Sequence, residues 1–370
     1  MNILKWKRLK SFDREEKTII AYMLSSVDLM AMLVPVIVII WGDNNVTFGE
    51  MLVLQGIFTL TLLFAEVPSG ALSDSWLGRK WSEVLGNGLL ALAMAIYAIA
   101  NGFLGFAIAE SIAGVAIAMK TGNASSLLYD TLIEQDSKPK FNQIVSRVMT
   151  LTFIVGSASN IVGGVLGTIH LRLPLAMLAI LYGLITCYDI IVVREPQRVR
   201  AKTIAHATFK ASRSILTKPV LSILCIYTIA TGVLSRIVFW AYQPLMINIG
   251  HYGPFEIGVV MASLNIVAAL GSKAIKILGT RIRNIGILAI FMGVATIGTF
   301  GITQATNILT LLLSICLIQV IRGLSRSYYT IVQQEYLESD ERSTFNSLDS
   351  LKNSLLYAMI AALLKDCSVN

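Results

Sequence analysis

The chain has 370 residues, 55% of them hydrophobic and only 14% charged, with mean hydropathy +0.71 and net charge +8. A soluble domain carries about a quarter charged residues, so the composition excludes a water-soluble globular domain and requires a lipid-like solvent for most of the surface. The positive balance fits membrane topology and attraction to anionic lipid, and no nucleic-acid partner is expected.

A bilayer core about 30 Å thick needs about 20 helical residues. Eleven segments are expected to cross it: 18–41, 50–73, 82–101, 103–125, 143–168, 173–193, 218–241, 255–279, 284–303, 307–331 and 343–364. Each must be helical, because lipid offers no partner for a free backbone N–H or C=O. The first run is too long for a signal-peptide core and has no small-residue cleavage site after it, so no cleaved leader is expected.

Lys and Arg set the orientation. The N-terminal segment carries Lys5, Lys7, Arg8, Lys10, Arg14 and Lys17, and alternate loops carry Arg79/Lys80, Lys138/Lys140, Arg194 to Lys218, Arg281/Arg283 and Arg342. The intervening loops around Asp43, Asn101, His251 and Gln304 have none, Arg172 being the exception. The N-terminus is therefore expected on the cytoplasmic side. Residues 194–217 form the longest polar stretch between spans and divide an N-terminal six-helix bundle (1–193) from a C-terminal bundle of five helices (218–370).

Between the second and third spans stands Gly70-Ala-Leu-Ser-Asp74-Ser-Trp-Leu-Gly78-Arg79-Lys80. It resembles the signature loop of the major facilitator superfamily, G-x-x-x-D-x-x-x-G-R-[KR], which joins helices 2 and 3 in that family. Glu66-Val-Pro68-Ser-Gly70 ahead of it resembles a bacterial efflux-type branch. The resemblance implies an all-α polytopic membrane protein of two bundles, with twelve helices as the family norm against eleven here. It also implies a charge latch in this loop, gating the outward-open state. Gly70 and Gly78 permit a tight turn, Asp74 accepts hydrogen bonds or pairs with a cation, Arg79 and Lys80 anchor to the inner leaflet, and Pro68 kinks the second helix. A weaker copy, Gly271 to Arg281, repeats the glycine spacing in the second half, as parallel repeats require.

Ionisable residues inside spans are costly, about 2.5–3.5 kcal/mol each on insertion scales, and so mark partners, wet cavities or function. Asp28 lies in the first span, either hydrogen-bonded to neighbouring hydroxyls or carrying a proton. Glu110 lies in the fourth, where many members of the resembling family have arginine; it is a candidate proton carrier or cation-binding carboxylate. Gly114, one turn on, permits close helix approach. In that family the first, fourth, seventh and tenth helices line the central cavity, which adds Arg236 and Arg322 to the candidate proton-coupling or substrate residues. Lys120, Lys273 and Lys276 lie toward span ends and are expected to snorkel. Gly163 and Gly164 in the fifth span partly resemble a glycine-rich exporter motif, with Ser159-Asn160 where that motif has Gly-Pro.

Four cysteines without metal-ligand spacing and three histidines imply no metal and no cofactor. No nucleotide-binding glycine loop is present, so neither ATP hydrolysis nor another enzymatic role is expected. The expectation is a monomeric secondary transporter in a bacterial plasma membrane, exporting small amphiphilic or cationic molecules against protons by alternating access. Proton-coupled uptake is the alternative on the same fold. A non-transporting protein lacking the twelfth helix is the alternative of another class.

Overall fold

The computed structural model describes residues 14–73, 77–121, 123–196, 219–278, 286–336 and 342–364. Among them every regular element is helical. The N-terminal basic segment, Asp74, most of the central polar stretch, Arg281, Arg283 and the last six residues lie outside the described residues.

The first expected span is broken. Helix α1 (Arg14–Ser26) gives way to a 3-10 turn (Leu29–Met32) and then α2 (Val34–Asp43), with a bend of 44°. Asp28 causes the break: its Oδ1 accepts the Ala31 N–H at 3.2 Å, a local bond that competes with helix continuation. Pro35 then sits in the first turn of α2, where its missing N–H costs nothing. A reciprocal capping box, Thr47 with Glu50, starts α3 (Phe48–Leu72), which runs on through Pro68.

The chain continues as α4 (Arg79–Ile99) and α5 (Gly102–Lys120). The fourth expected span, 103–125, ends early at Lys120, and the chain resumes as α6 (Asn123–Glu134). Then come α7 (Phe141–Ile169), α8 (Leu173–Val192), α9 (Pro219–Gly250), α10 (Pro254–Leu278), α11 (Gly286–Thr303), α12 (Ile308–Tyr336) and α13 (Arg342–Leu363). Among the described residues six helices are long and apolar enough to cross a membrane, or seven if the bent first pair is one span. Pro254–Ala268 and Ile287–Thr303 are shorter apolar stretches. The expected eleven spans are thus not all distinguished by length and hydropathy.

Within the first helices, α5 packs against both α3 and α4, and α4 against α8. Their core joins Trp41, Leu90, Met94, Tyr97, Phe106 and Leu178. Among the later helices, α12 packs against α10 and α11, around Tyr242, Met246, Leu264, Leu311 and Ile315. Large apolar side chains such as Phe64, Ile99, Leu104, Ile191 and Leu363 face outward at more than two-thirds exposure, a surface that lipid and not water must cover.

Two seams join the earlier helices to the later ones: α7 against α10, and α3 against α13. Both have close contacts toward the end of the bundle carrying the turns at 44–47, 170–172 and 251–253, Gly164 against Pro254 in the first and Gly56 against Ala361 in the second. There the Trp41 and Trp240 rings lie 5.3 Å apart, and Leu52 packs with Val233, Tyr357 and Ala361. Glycine makes the α7–α10 seam possible. A Cβ at Gly164 would stand 2.7 Å from the Pro254 carbonyl oxygen, and one at Gly258 would stand 2.5 Å from the Asn160 carbonyl oxygen; Gly163 instead lets α7 approach Met32 of the 3-10 turn.

This packing predicts that Gly164→Ala destabilises the detergent-solubilised protein by ~1–3 kcal/mol, the usual cost of overpacking. Gly183→Ala, with nothing within 4 Å of the added methyl, should be neutral or stabilising by up to ~1 kcal/mol through helix propensity. Thermal unfolding of both variants checks this; equal shifts would contradict the close seam.

Candidate functional site

Glu110 stands midway along the nineteen-residue α5 and is 6% exposed. Its neighbours Ala109, Ala113 and Gly114 are small, and α3 comes close: a Cβ at Gly114 would lie 2.7 Å from the Phe58 carbonyl oxygen. That approach brings in Gln55, whose Nε2 donates to Glu110 Oε1 at 2.7 Å. From α4 the Tyr97 hydroxyl donates to the same oxygen at 2.6 Å. The carboxylate is thereby held by two neutral donors, with no salt bridge to it among the described residues.

The set extends into the later helices. Thr59, one turn beyond Gln55, donates to the Gln55 carbonyl at 2.7 Å, and Arg236 Nη1 of α9 lies 3.5 Å from its hydroxyl oxygen. The Arg236 guanidinium sits over the Tyr357 ring of α13 at 5.4 Å. The Tyr357 hydroxyl is buried without a hydrogen-bond partner. Polar groups from α3, α4, α5, α9 and α13 thus meet across the seam between the two sets of helices. Glu110 and Arg236 were legible as charges in spans; Gln55, Thr59, Tyr97 and Tyr357 carry no signal in a single sequence beyond being polar in apolar surroundings.

Asp28 and Arg322 lie elsewhere. Asp28 borders a cavity of about 460 Å³ among the earlier helices, together with Tyr22, Ser25, Lys120, Thr152 and Tyr182. Arg322 borders another, of about 270 Å³, among α9, α11, α12 and α13, with Tyr227, Thr231, Ser235 and Ser325. The Tyr227 hydroxyl donates to Ser325 Oγ at 2.6 Å there. The four charges expected around one central site therefore fall into three places.

Lys120 departs from the snorkelling expectation. Its side chain is 11% exposed and turns inward, donating to Asn87 Oδ1 at 2.6 Å. Gly86 makes the slot, since any Cβ there would overlap the Lys120 stem. Glu83 and Asp189, buried beside it, were missed, although each lies inside an expected span and the rule that found Glu110 would have found them.

The Gly78-Arg79-Lys80 end of the signature loop is tied down within the first helices. Gly78 has φ +87°, a conformation that favours glycine, and the Glu195 carboxylate occupies the space a Cβ would need. That carboxylate accepts the backbone N–H of Arg79 at 2.8 Å and of Lys80 at 2.9 Å, satisfying donors at the α4 N-terminus. Arg79 pairs with Asp130 of α6 and donates to the Ser126 carbonyl at 2.9 Å, and Lys80 donates to the Ile190 carbonyl at 2.9 Å. Both cations were expected to reach for lipid; each instead has a protein acceptor. Asp74 is outside the described residues. Glu66 gives its carbonyl to the Ser69 hydroxyl at 3.1 Å, and Gly70 has open space around it.

A double-mutant cycle on Arg79→Ala and Asp130→Ala should return a coupling of ~0.5–3 kcal/mol in unfolding free energy, the range for residues in contact. Additive losses would contradict the pair.

The profile of the Major Facilitator Superfamily matches residues 18–361. An uncharacterized MFS-type transporter of Methanocaldococcus jannaschii is 23% identical over 299 residues, covering 78% of this chain and 73% of that protein. Among solved structures, a bacterial homologue of the human lysosomal transporter Spinster, inward-facing and unoccupied, superposes with TM-score 0.78 at 15% identity, covering 95% of this chain and 81% of that one. The nucleoside transporter NupG gives 0.77 at 13%, covering 97% and 93%, and a D-xylose-proton symporter gives 0.68 at 14%, covering 95% and 89%. This likeness extends the fold over nearly the whole chain, and with the matched profile it settles the family: the chain belongs to the Major Facilitator Superfamily, a family of multi-pass membrane transporters.

Proposed function

We propose that this transporter exports small amphiphilic or cationic molecules in exchange for protons, with Glu110 as the group that alternates between proton and substrate. The observation that carries the reading is the set around Glu110, which draws on both groups of helices. A carboxylate in that place is exposed to any change in how the halves meet, so its proton affinity and the rocking of the halves are linked. The neighbouring apolar and aromatic surface, with Trp41, Trp240 and Tyr357, suits an amphiphilic body, and the carboxylate suits a cationic group.

In this reading residues 1–193 and 218–370 are the two rocking halves, and the polar stretch between them is the cytoplasmic connector. The Lys- and Arg-rich end faces the cytoplasm by the positive-inside rule. The tight seams at the opposite end then correspond to an inward-open arrangement, with the substrate path closed by Trp41 and Trp240 on the far side. The Arg79–Asp130 and Glu195 network ties the Arg79-Lys80 end of the signature loop to the first half. The export direction rests on the likeness of Glu66 to Gly70 and of Gly163-Gly164 to exporter motifs. A small-molecule substrate, protons and the lipid of a bacterial plasma membrane are the partners, and the transporter acts as a monomer.

The test is proton-gradient dissipation in inverted vesicles challenged with cationic and amphiphilic compounds. Wild-type protein should dissipate the gradient on addition of a substrate, and Glu110→Gln at equal expression should respond at the level of empty vesicles. Equal dissipation by Glu110→Gln would remove Glu110 from the coupling path. Accumulation of substrate on the cytoplasmic side, driven by the proton gradient, would reverse the direction to uptake.

A further inference from the structure

A second group of buried charges lies wholly among the earlier helices, nearer the Arg- and Lys-rich end than Glu110. Glu83 of α4 and Asp189 of α8 are each 2% exposed. Lys120 Nζ lies 3.9 Å from Glu83 Oε1 and is within electrostatic reach of Asp189. Asn87 bridges the arrangement: its Oδ1 accepts from Lys120, and its Nδ2 donates to Asp189 Oδ2 at 2.9 Å. The Ser25 hydroxyl donates to Glu83 Oε1.

The acceptors outnumber the donors. Glu83 Oε2 and Asp189 Oδ1 are both buried and have no hydrogen-bond partner. Two buried carboxylates face one buried ammonium, with Lys80 acting on Asp189 only from its exposed place on the Ile190 carbonyl, so the fully ionised group would set two carboxylates against one buried cation, with two oxygens lacking donors. The other titratable groups facing it do not repair this. From α1 come Tyr22 and Asp28, at the edge of the adjoining cavity; from α8, Tyr182 beside Asp28 and Tyr188 beside Asp189; from α4, only Lys80, directed toward the Ile190 carbonyl. A metal cation is disfavoured by the ammonium already present.

We propose that Glu83 and Asp189 hold one proton between them, with Lys120 as counter-ion, forming a proton-binding site separate from Glu110. The proton converts one of the two unpartnered oxygens into a donor and neutralises the extra charge in one step. It reaches the site from water in the cavity of about 460 Å³ that Lys120, Ser25 and Asp28 border, and leaves by the same route. Lys120 remains charged throughout and keeps its bond to Asn87. Because all the partners belong to the first set of helices, this site binds its proton whether or not the two halves have moved.

Infrared spectroscopy of the full chain in lipid vesicles reads this directly, through the carbonyl stretch of a protonated carboxyl group. Asp28→Asn/Glu110→Gln is the starting variant, so neither of those carboxyls contributes. A protonated-carboxyl band at neutral pH should remain in that background and disappear on adding Asp189→Asn, which already supplies a neutral donor. Adding Lys120→Met should instead increase the band about twofold, since the second acid then loses its counter-ion and also takes a proton. This third variant keeps the test decisive if Asp189→Asn does not fold. No band in the starting variant, or a band unchanged by both additions, would overturn the assignment.

Discussion

Lipid supplies no hydrogen-bond donor or counter-ion, so each ionisable side chain within the helices must find its partners on neighbouring helices. That constraint organises this protein. Glu110 is held by Gln55 and Tyr97 from two other helices, Lys120 by Asn87 and Glu83, and Arg79 by Asp130. At Gly114 beside Glu110 and at Gly86 against Lys120, a glycine leaves the room for that approach. The placement of Gly86 and Gly114 is therefore part of the same chemistry as the placement of the charges.

The polar groups differ in what they join. The Glu83, Lys120 and Asp189 group, and the Arg79 and Glu195 network at the signature loop, tie the earlier helices to one another and make them a single piece. The Glu110 group reaches Arg236 and Tyr357 across the seam. In the proposed cycle, a first half tied together by its own polar groups and set against the second through a few shared polar contacts is what rocking about a midplane site requires. The apolar seams at the far end, built on Gly164, Pro254, Trp41 and Trp240, carry no ionic pairs among the described residues.

The family was legible in the sequence because hydropathy and the spacing of Gly70, Asp74, Gly78, Arg79 and Lys80 are local properties. Glu110 was legible for the same reason, as an acid in an apolar run. Its partners were not: Gln55 is 55 residues away and Tyr97 is 13 away, and their meeting depends on helix rotation. The break at Asp28 was hidden because a carboxylate that caps a turn and one that carries a proton look alike in a span. Lys120 was misread since snorkelling and burial differ only by a slot on the facing helix. Glu195 carried no signal of its own in the polar stretch after the sixth expected span, and only the fold places it on the α4 N-terminus.

The central claim is that the state of Glu110 governs how the two halves meet. Spin labels at Asn45 and His251, exposed positions on turns of the two halves at the same end, would measure that opening in lipid vesicles. Two distance populations are expected, with a balance that shifts with pH in the wild-type protein and is insensitive to pH in Glu110→Gln. A single distance at every pH, or the same pH shift in Glu110→Gln, would contradict it.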